Sequence, residues 1–247
     1  MSALVLTREH ARTLLLDLFR TPSYVVWTIV FPAMFFTLFD MPYARHDPAV
    51  ADGATLAFVV WAIAGVCFYQ FGVGIAQERG RPWERYLRTL PASAGVRFGA
   101  RIAGAAAFAC AAAALVALLA RLTTPVDLSP LQWLTIAAYA AMGGIPFVLF
   151  GIALGYWCSP RAAVPVATAL NLLLAYGGGL WMPPADLPQI VRHVSPFLPT
   201  RAFADLLWSV PYGTNPLPAL AVLLAYALAF GALATRGYRR DEGKRYA

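Results

Sequence analysis

Six apolar stretches, roughly residues 24–39, 54–76, 98–120, 131–157, 162–182 and 216–235, fill most of this sequence. Each is close to the ~20 residues a helix needs to cross a bilayer. If the polar segments alternate between two sides of a membrane, only Arg45, Arg121, Arg192 and Arg201 of the 19 lysines and arginines fall on one side. The others, from Arg8, Arg12 and Arg20 through Arg79–Arg101 and Arg161 to Arg236–Arg245, gather on the opposite side. Basic residues are retained in the cytoplasm during insertion. Both termini and the loop 77–97 are therefore expected to be cytoplasmic, with residues 40–53, 121–130 and 183–215 outside. The reading is an all-α, multi-pass protein of the cytoplasmic (inner) membrane, with residues 1–247 as one membrane domain.

Composition agrees. The chain is 60% hydrophobic and 13% charged, against about 25% charged in a typical soluble domain. The net charge of +7 does not call for nucleic acid, because the basic residues lie in short clusters at membrane edges, where insertion rules and anionic lipid account for them. A soluble helical protein would show wide polar faces, and these stretches have none. The first stretch lacks a small-residue cleavage site, so no short cleavable signal peptide is expected. Cys67 and Cys110 lie in apolar stretches and Cys158 at a cytoplasmic edge, so no disulfide is expected. His10, His46 and His193 share no metal-ligand spacing. All six read as packing or surface residues.

Several segments carry more information. In residues 3–20, Leu4, Ala11, Leu14, Leu15 and Leu18 recur on one helical face, while Glu9, Arg12, Asp17 and Arg20 take the other. That is the pattern of an amphipathic helix lying in the membrane interface. Pro22 ends it, and Pro32 is expected to kink the first span. Gly151 and Gly155 have GxxxG spacing, which serves either packing within one chain or a dimer contact. Asn171, mid-way along the fifth span, is either a pathway residue or an interhelical hydrogen-bond partner. In the loop 77–97, Trp83, Tyr86, Leu87 and Leu90 share one helical side and Glu84, Arg85 and Arg88 fall elsewhere. This describes a short cytoplasmic helix with an apolar anchor. Residues 183–215 are rich in proline, with two apolar pieces near 187–194 and 200–210 that are too short to cross a bilayer. They read as short helices that dip into the outer leaflet or cap the bundle. Arg201 and Asp205 are spaced to pair on one helical face, either to neutralise each other or to take part in gating.

What is missing narrows the mechanism. No Asp, Glu or Lys lies within the six stretches, whereas ion-coupled carriers place such groups at mid-membrane. There is no HExxH, no GxSxG and no pair of intramembrane aspartates to support hydrolytic chemistry. There is no GxxxxGK[ST] phosphate loop, and Lys244 is the only lysine. Uphill movement of a solute would have to draw energy from another polypeptide.

Taken together, the chain resembles the membrane domain of an ABC type-2 exporter over essentially its whole length. The resemblance rests on the order of parts and on two motifs. Glu78, Gly80, Glu84, Leu87, Pro91 and Ser93 are similar to the family's coupling-helix pattern. Gly178-Gly179-Leu180-Trp181-Met182-Pro183, followed by Leu187-Pro188 and Pro196 to Thr200, is similar to its segment between spans five and six. Phe197-Leu198-Pro199-Thr200 stands where polysaccharide exporters show an Asn-Pro pair, which points toward the drug, peptide or lipid branch.

The resemblance implies a permease subunit that is not itself an enzyme. A separate ABC ATPase would carry ATP and Mg, with no cofactor or metal in this chain, and the membrane domains would form a homodimer or close heterodimer in the bilayer. It implies ATPase coupling through Glu78, Trp83, Glu84, Arg85, Tyr86, Leu87 and Arg88. The substrate path is expected at Phe35, Tyr69, Gln70 and Asn171. An external gate is expected at Gly177, Gly178, Gly179, Pro183, Pro188, Arg201 and Asp205. A membrane scaffold or assembly subunit without transport of its own is the alternative, and it would need no ATPase dock.

Overall fold

The computed structural model describes residues 25–79 and 94–243. The 3–20 helix and Trp83 to Arg88 of the coupling segment lie outside the described residues. Those that are described form helices and short connections, with no strand among them.

The first helix, α1, is continuous but mixed: π turns at Val26–Val30 and Phe36–Asp40 alternate with α turns at Phe31–Phe35 and Met41–Ala44. Pro32 sits just after the first π turn. A widened turn is one way for a helix to absorb a residue that cannot donate. Helix α2 runs Pro48–Arg79, with a π segment at Phe68–Val73. Then come α3 (Ala94–Thr123), α4 (Pro130–Trp157) and α5 (Pro160–Gly177). Two short helices follow, α6 (Gln189–Val194) and α7 (Pro199–Tyr212), before the last, α8 (Leu217–Gly243).

Helix starts follow from cap chemistry. Asp47, Ser129 and Ser159 each accept a backbone N–H from the turn they precede, and each is followed by proline at the start of the helix. Proline there loses no helical bond, and its fixed φ suits the first turn. Ser129 and Gln132 complete a capping box. At the other end of α5, Gly179 has φ +71°. Leu180 N–H bonds Ala175 O at 3.0 Å and Gly179 N–H bonds Tyr176 O at 3.0 Å, the Schellman ending that glycine favours.

α2, α3, α4 and α8 are long and apolar enough to cross a membrane. α1 is a shorter apolar helix, and α5 has 18 residues with Pro165 inside it. α2 is buried almost throughout, while α3 and α8 turn most of their apolar surface outward, as with Leu122, Leu224 and Leu228. An apolar outer surface around an apolar core is what a lipid solvent requires.

Two boundaries differ from the sequence reading. The 40–53 loop shrinks to residues 45–47, because Asp47 caps α2 and the helix starts at Pro48. Residues 77–79 and 94–97 belong to α2 and α3, which leaves 80–93 as the connection.

Candidate functional site

α2 supplies one wall of a cleft whose other walls are α1 and α5. Thr28, Phe31 and Pro32 face Trp61, Gly65 and Tyr69, with Thr168, Asn171 and Leu172 opposite, around a narrow cavity of about 10 Å³, room for roughly one water. Thr168 donates to Val164 O at 2.9 Å. Its oxygen is thereby left to accept the Tyr69 hydroxyl at 2.7 Å. Gly65 gives Asn171 its room, since a Cβ there would lie 3.3 Å from Asn171 Nδ2. Asn171 Oδ1 has no hydrogen-bond partner, and neither does the indole N–H of Trp61, which is only 2% exposed. Orphaned buried polar atoms are rare and costly. Here an acceptor and a donor belong to residues of one small cleft.

A ladder of rings leads away from it. Phe35 lies 4.5 Å from Phe31, 5.2 Å from Trp61 and 5.9 Å from Trp181 between ring centres. Trp61 and Trp181 meet edge to face at 5.2 Å, and Trp181 also has an unpartnered buried N–H. Trp181 follows the glycine run that ends α5, so the ladder joins the cleft to the segment beyond α5.

Of the four expected path residues, Tyr69 and Asn171 meet in the cleft and Phe35 stands on the ladder. Gln70 is turned toward α3: a Cβ on Gly104 would lie 3.6 Å from its Nε2. The sequence reading missed Trp61, Thr168 and the orphaned state of the two indoles. Their aromatic or hydroxyl character was legible; their convergence was not.

The expected gate residues cluster at the α5–α7 junction. A Cβ on Gly177 would come within 2.7 Å of Leu198 Cδ1, and one on Gly178 within 2.5 Å of Thr200 Oγ1. Thr200 donates to Leu174 O at 2.6 Å. Pro183 and Pro188 precede the short helical turns at Pro184–Asp186 and Gln189–Val194. Arg201 and Asp205 do pair, at 2.8 Å, and Arg201 also lies 5.3 Å over the Trp208 ring. α7 is no loose flap. Phe203 is fully buried and packs on Phe147 at 5.6 Å. Trp208 donates to Gly53 O at 2.9 Å and Tyr212 to Ala49 O at 2.8 Å, both on α2. Burial, then the carboxylates of Asp52 and Asp47, raise the Tyr212 phenol above its usual value.

At the opposite end, Glu78 is the one expected coupling residue among those described. It pairs with Arg101 of α3, whose Nη1 also reaches Gln70 O at 3.4 Å. Arg79, beside it, binds Asp241 of α8 and two carbonyls at the end of α4. A polar cleft of about 230 Å³ opens there, lined by Arg79, Tyr156, Trp157, Ser159, Arg240 and Asp241 among others. No group of His, Cys, Asp and Glu suited to a metal occurs among the described residues.

Two comparisons bear on this arrangement. Residues 41–236 match the family model described as ABC-2 family transporter protein. A Bacillus subtilis (strain 168) chain, provisionally named transport permease YvfS, is 24% identical over 227 residues, covering 90% of this chain and 93% of that one.

Proposed function

The chain belongs to the ABC-2 family of transporters, and from that premise we propose that it is the membrane permease of an ATP-driven exporter for apolar or amphipathic solutes. Membership makes it a multi-pass transport subunit. The exporter reading adds direction, energy source and substrate class. α1 to α5 and α8 would be the six spans, with both termini and residues 80–93 in the cytoplasm, as the arginine asymmetry favours.

Energy would enter from a separate ABC ATPase carrying ATP and Mg, docked beneath residues 80–93, since this chain has no phosphate loop. Trp83, Tyr86 and Leu87 would fill a groove on that ATPase, and Glu84, Arg85 and Arg88 would set its register. Two membrane domains, identical or closely related, would enclose the route. α6 and α7 would close its external end against Gly177 and Gly178.

The observation that carries the substrate class is the α1–α2–α5 cleft. Its walls mix aromatic, aliphatic, hydroxyl and amide side chains, it holds no charged side chain, and two of its residues keep a buried donor and a buried acceptor without a protein partner. Once α1 and α5 part to widen it, such a cleft would suit a largely apolar molecule with a neutral polar group, and it gives no counter-ion to a charged one.

The test is capture of an ABC ATPase with the tagged chain from its native membrane, then ATP hydrolysis by the complex in lipid vesicles. Neutral amphipathic compounds are expected to stimulate hydrolysis and small hydrophilic ions are not. Failure to capture any ATPase, with no stimulation by any compound, would favour the scaffold reading.

A further inference from the structure

Resting on the reading that an ATPase docks at residues 80–93, we propose that Arg79 is the positioning residue that carries movement of that segment into α4 and α8. Arg79 is the last residue of α2 before the segment. Its guanidinium grips two other helices at once. Nη1 donates to Gly155 O at 2.7 Å and to Tyr156 O at 2.9 Å, while Nε and Nη2 hold Asp241 Oδ1 at 3.0 and 2.5 Å. A guanidinium is a rigid planar fork, so a displacement of its stem is passed on and little is lost to bond rotation. Both side chains of the pair are largely shielded, Arg79 24% and Asp241 13% exposed, and shielding from water strengthens an ion pair.

The two helices it grips are welded together. A Cβ on Gly237 of α8 would stand 2.8 Å from both Tyr156 Cβ and Trp157 Nε1 of α4. Phe150 and Phe230 stack at 4.3 Å further along the same pair. At the far end this pair holds the gate segment: Tyr226 of α8 donates to Phe197 O at 2.7 Å. Phe147 of α4 packs on Phe203 of α7. The neighbour, Glu78, grips α3 instead. Two consecutive residues thus divide a push between α3 and the α4–α8 pair, and the Arg79 branch reaches the gate segment through α4 and α8, beside the direct hold of α2 on α7 through Trp208 and Tyr212.

The test uses the full chain with its ATPase in lipid nanodiscs, with Cys67, Cys110 and Cys158 replaced and a single reporter cysteine at Phe197, which is 72% exposed. The readout is the labelling rate of that cysteine by a hydrophilic maleimide, with and without a non-hydrolysable ATP analogue. The parent is expected to change rate when nucleotide binds. Arg79→Gln is expected to keep the ATPase and its hydrolysis but lose the change, and Arg79→Lys, whose flexible ammonium cannot act as a fork on both helices, is expected to lose most of it. A merely structural role would lower complex yield without abolishing the response of the complexes that form. Arg79→Lys keeps a positive charge beside Asp241 and removes only the fork, so it decides the matter even if Arg79→Gln fails to assemble. A full nucleotide response in Arg79→Lys or Arg79→Gln, or none in a parent that holds its ATPase, overturns the inference. A parent that captures no ATPase overturns the docking reading beneath it.

Discussion

Single residues set how closely these helices approach. A Cβ on Gly151 would lie 2.6 Å from Cys67 O, and one on Gly155 would lie 2.7 Å from Ile75 Cβ and 2.8 Å from Phe71 O. The obstacles include α2 backbone, which cannot swing aside. The GxxxG pair of α4 therefore packs against α2 within the chain, which answers the question its spacing left open. Gly155→Ala gains up to ~1 kcal/mol of helix propensity but forces an overlap that typically costs about 1–3 kcal/mol. A lower melting temperature of the purified chain is expected, and an unchanged one would contradict the close packing. Asn171 poses the converse case. Its Oδ1 is buried without a partner, so an apolar replacement of similar size costs the fold little or stabilises it. Asn171→Leu is expected to melt no earlier than the parent while transport of neutral amphipathic compounds falls. Loss of stability together with normal transport would make Asn171 a packing residue only.

At the scale of elements, α7 bears the most direct test. It is held to the end of α5 by Thr200 and to α2 by Trp208 and Tyr212. In a cysteine-free background, Gly177→Cys with Leu198→Cys places two thiols where a Cβ already comes within 2.7 Å of the opposite side chain. Oxidation is expected to stop transport, leave ATP hydrolysis running, and be reversed by reductant. Full transport with the crosslink formed would remove α7 from the gate. Asp205→Asn should matter far less, because a partly exposed i,i+4 pair contributes only about 0.3–0.5 kcal/mol, and Arg201 keeps its place over Trp208. Much of this element was legible in the sequence. The prolines placed both short helices within a few residues, and the four-residue spacing named the Arg201–Asp205 pair. The burial of α7 was not legible, because it depends on Phe147, Gly53 and Ala49, which belong to distant parts of the chain. The same limit hid the Arg79–Asp241 clamp, whose partners stand 162 residues apart. Cap signals such as Asp47-Pro48 were present, yet hydropathy alone set the start of α2 at residue 54, since Asp52 reads as a loop residue until its carboxylate is seen accepting Asp127 N–H at 3.1 Å.

The described residues form a helical bundle whose two ends are joined by α2, the most deeply buried of its four long apolar helices. One end receives the 80–93 connection, and the other carries α6 and α7. Single cysteines at positions 47 and 85 of a cysteine-free chain would fix its orientation: impermeant reagent on intact cells is expected to label position 47 and spare position 85, and the reverse pattern would invert the topology. In the proposed function, a separate ATPase drives this chain through residues 80–93. Loss of a buried aromatic anchor at an interface typically costs ~2 kcal/mol or more, which is more than tenfold in affinity. The most direct measurement is therefore ATPase pull-down and vesicle transport with the Trp83→Ala, Glu84→Ala double variant, after confirming that it inserts normally. At least about tenfold weaker ATPase retention is expected, or hydrolysis that no longer drives transport. An intact complex with normal transport would contradict it.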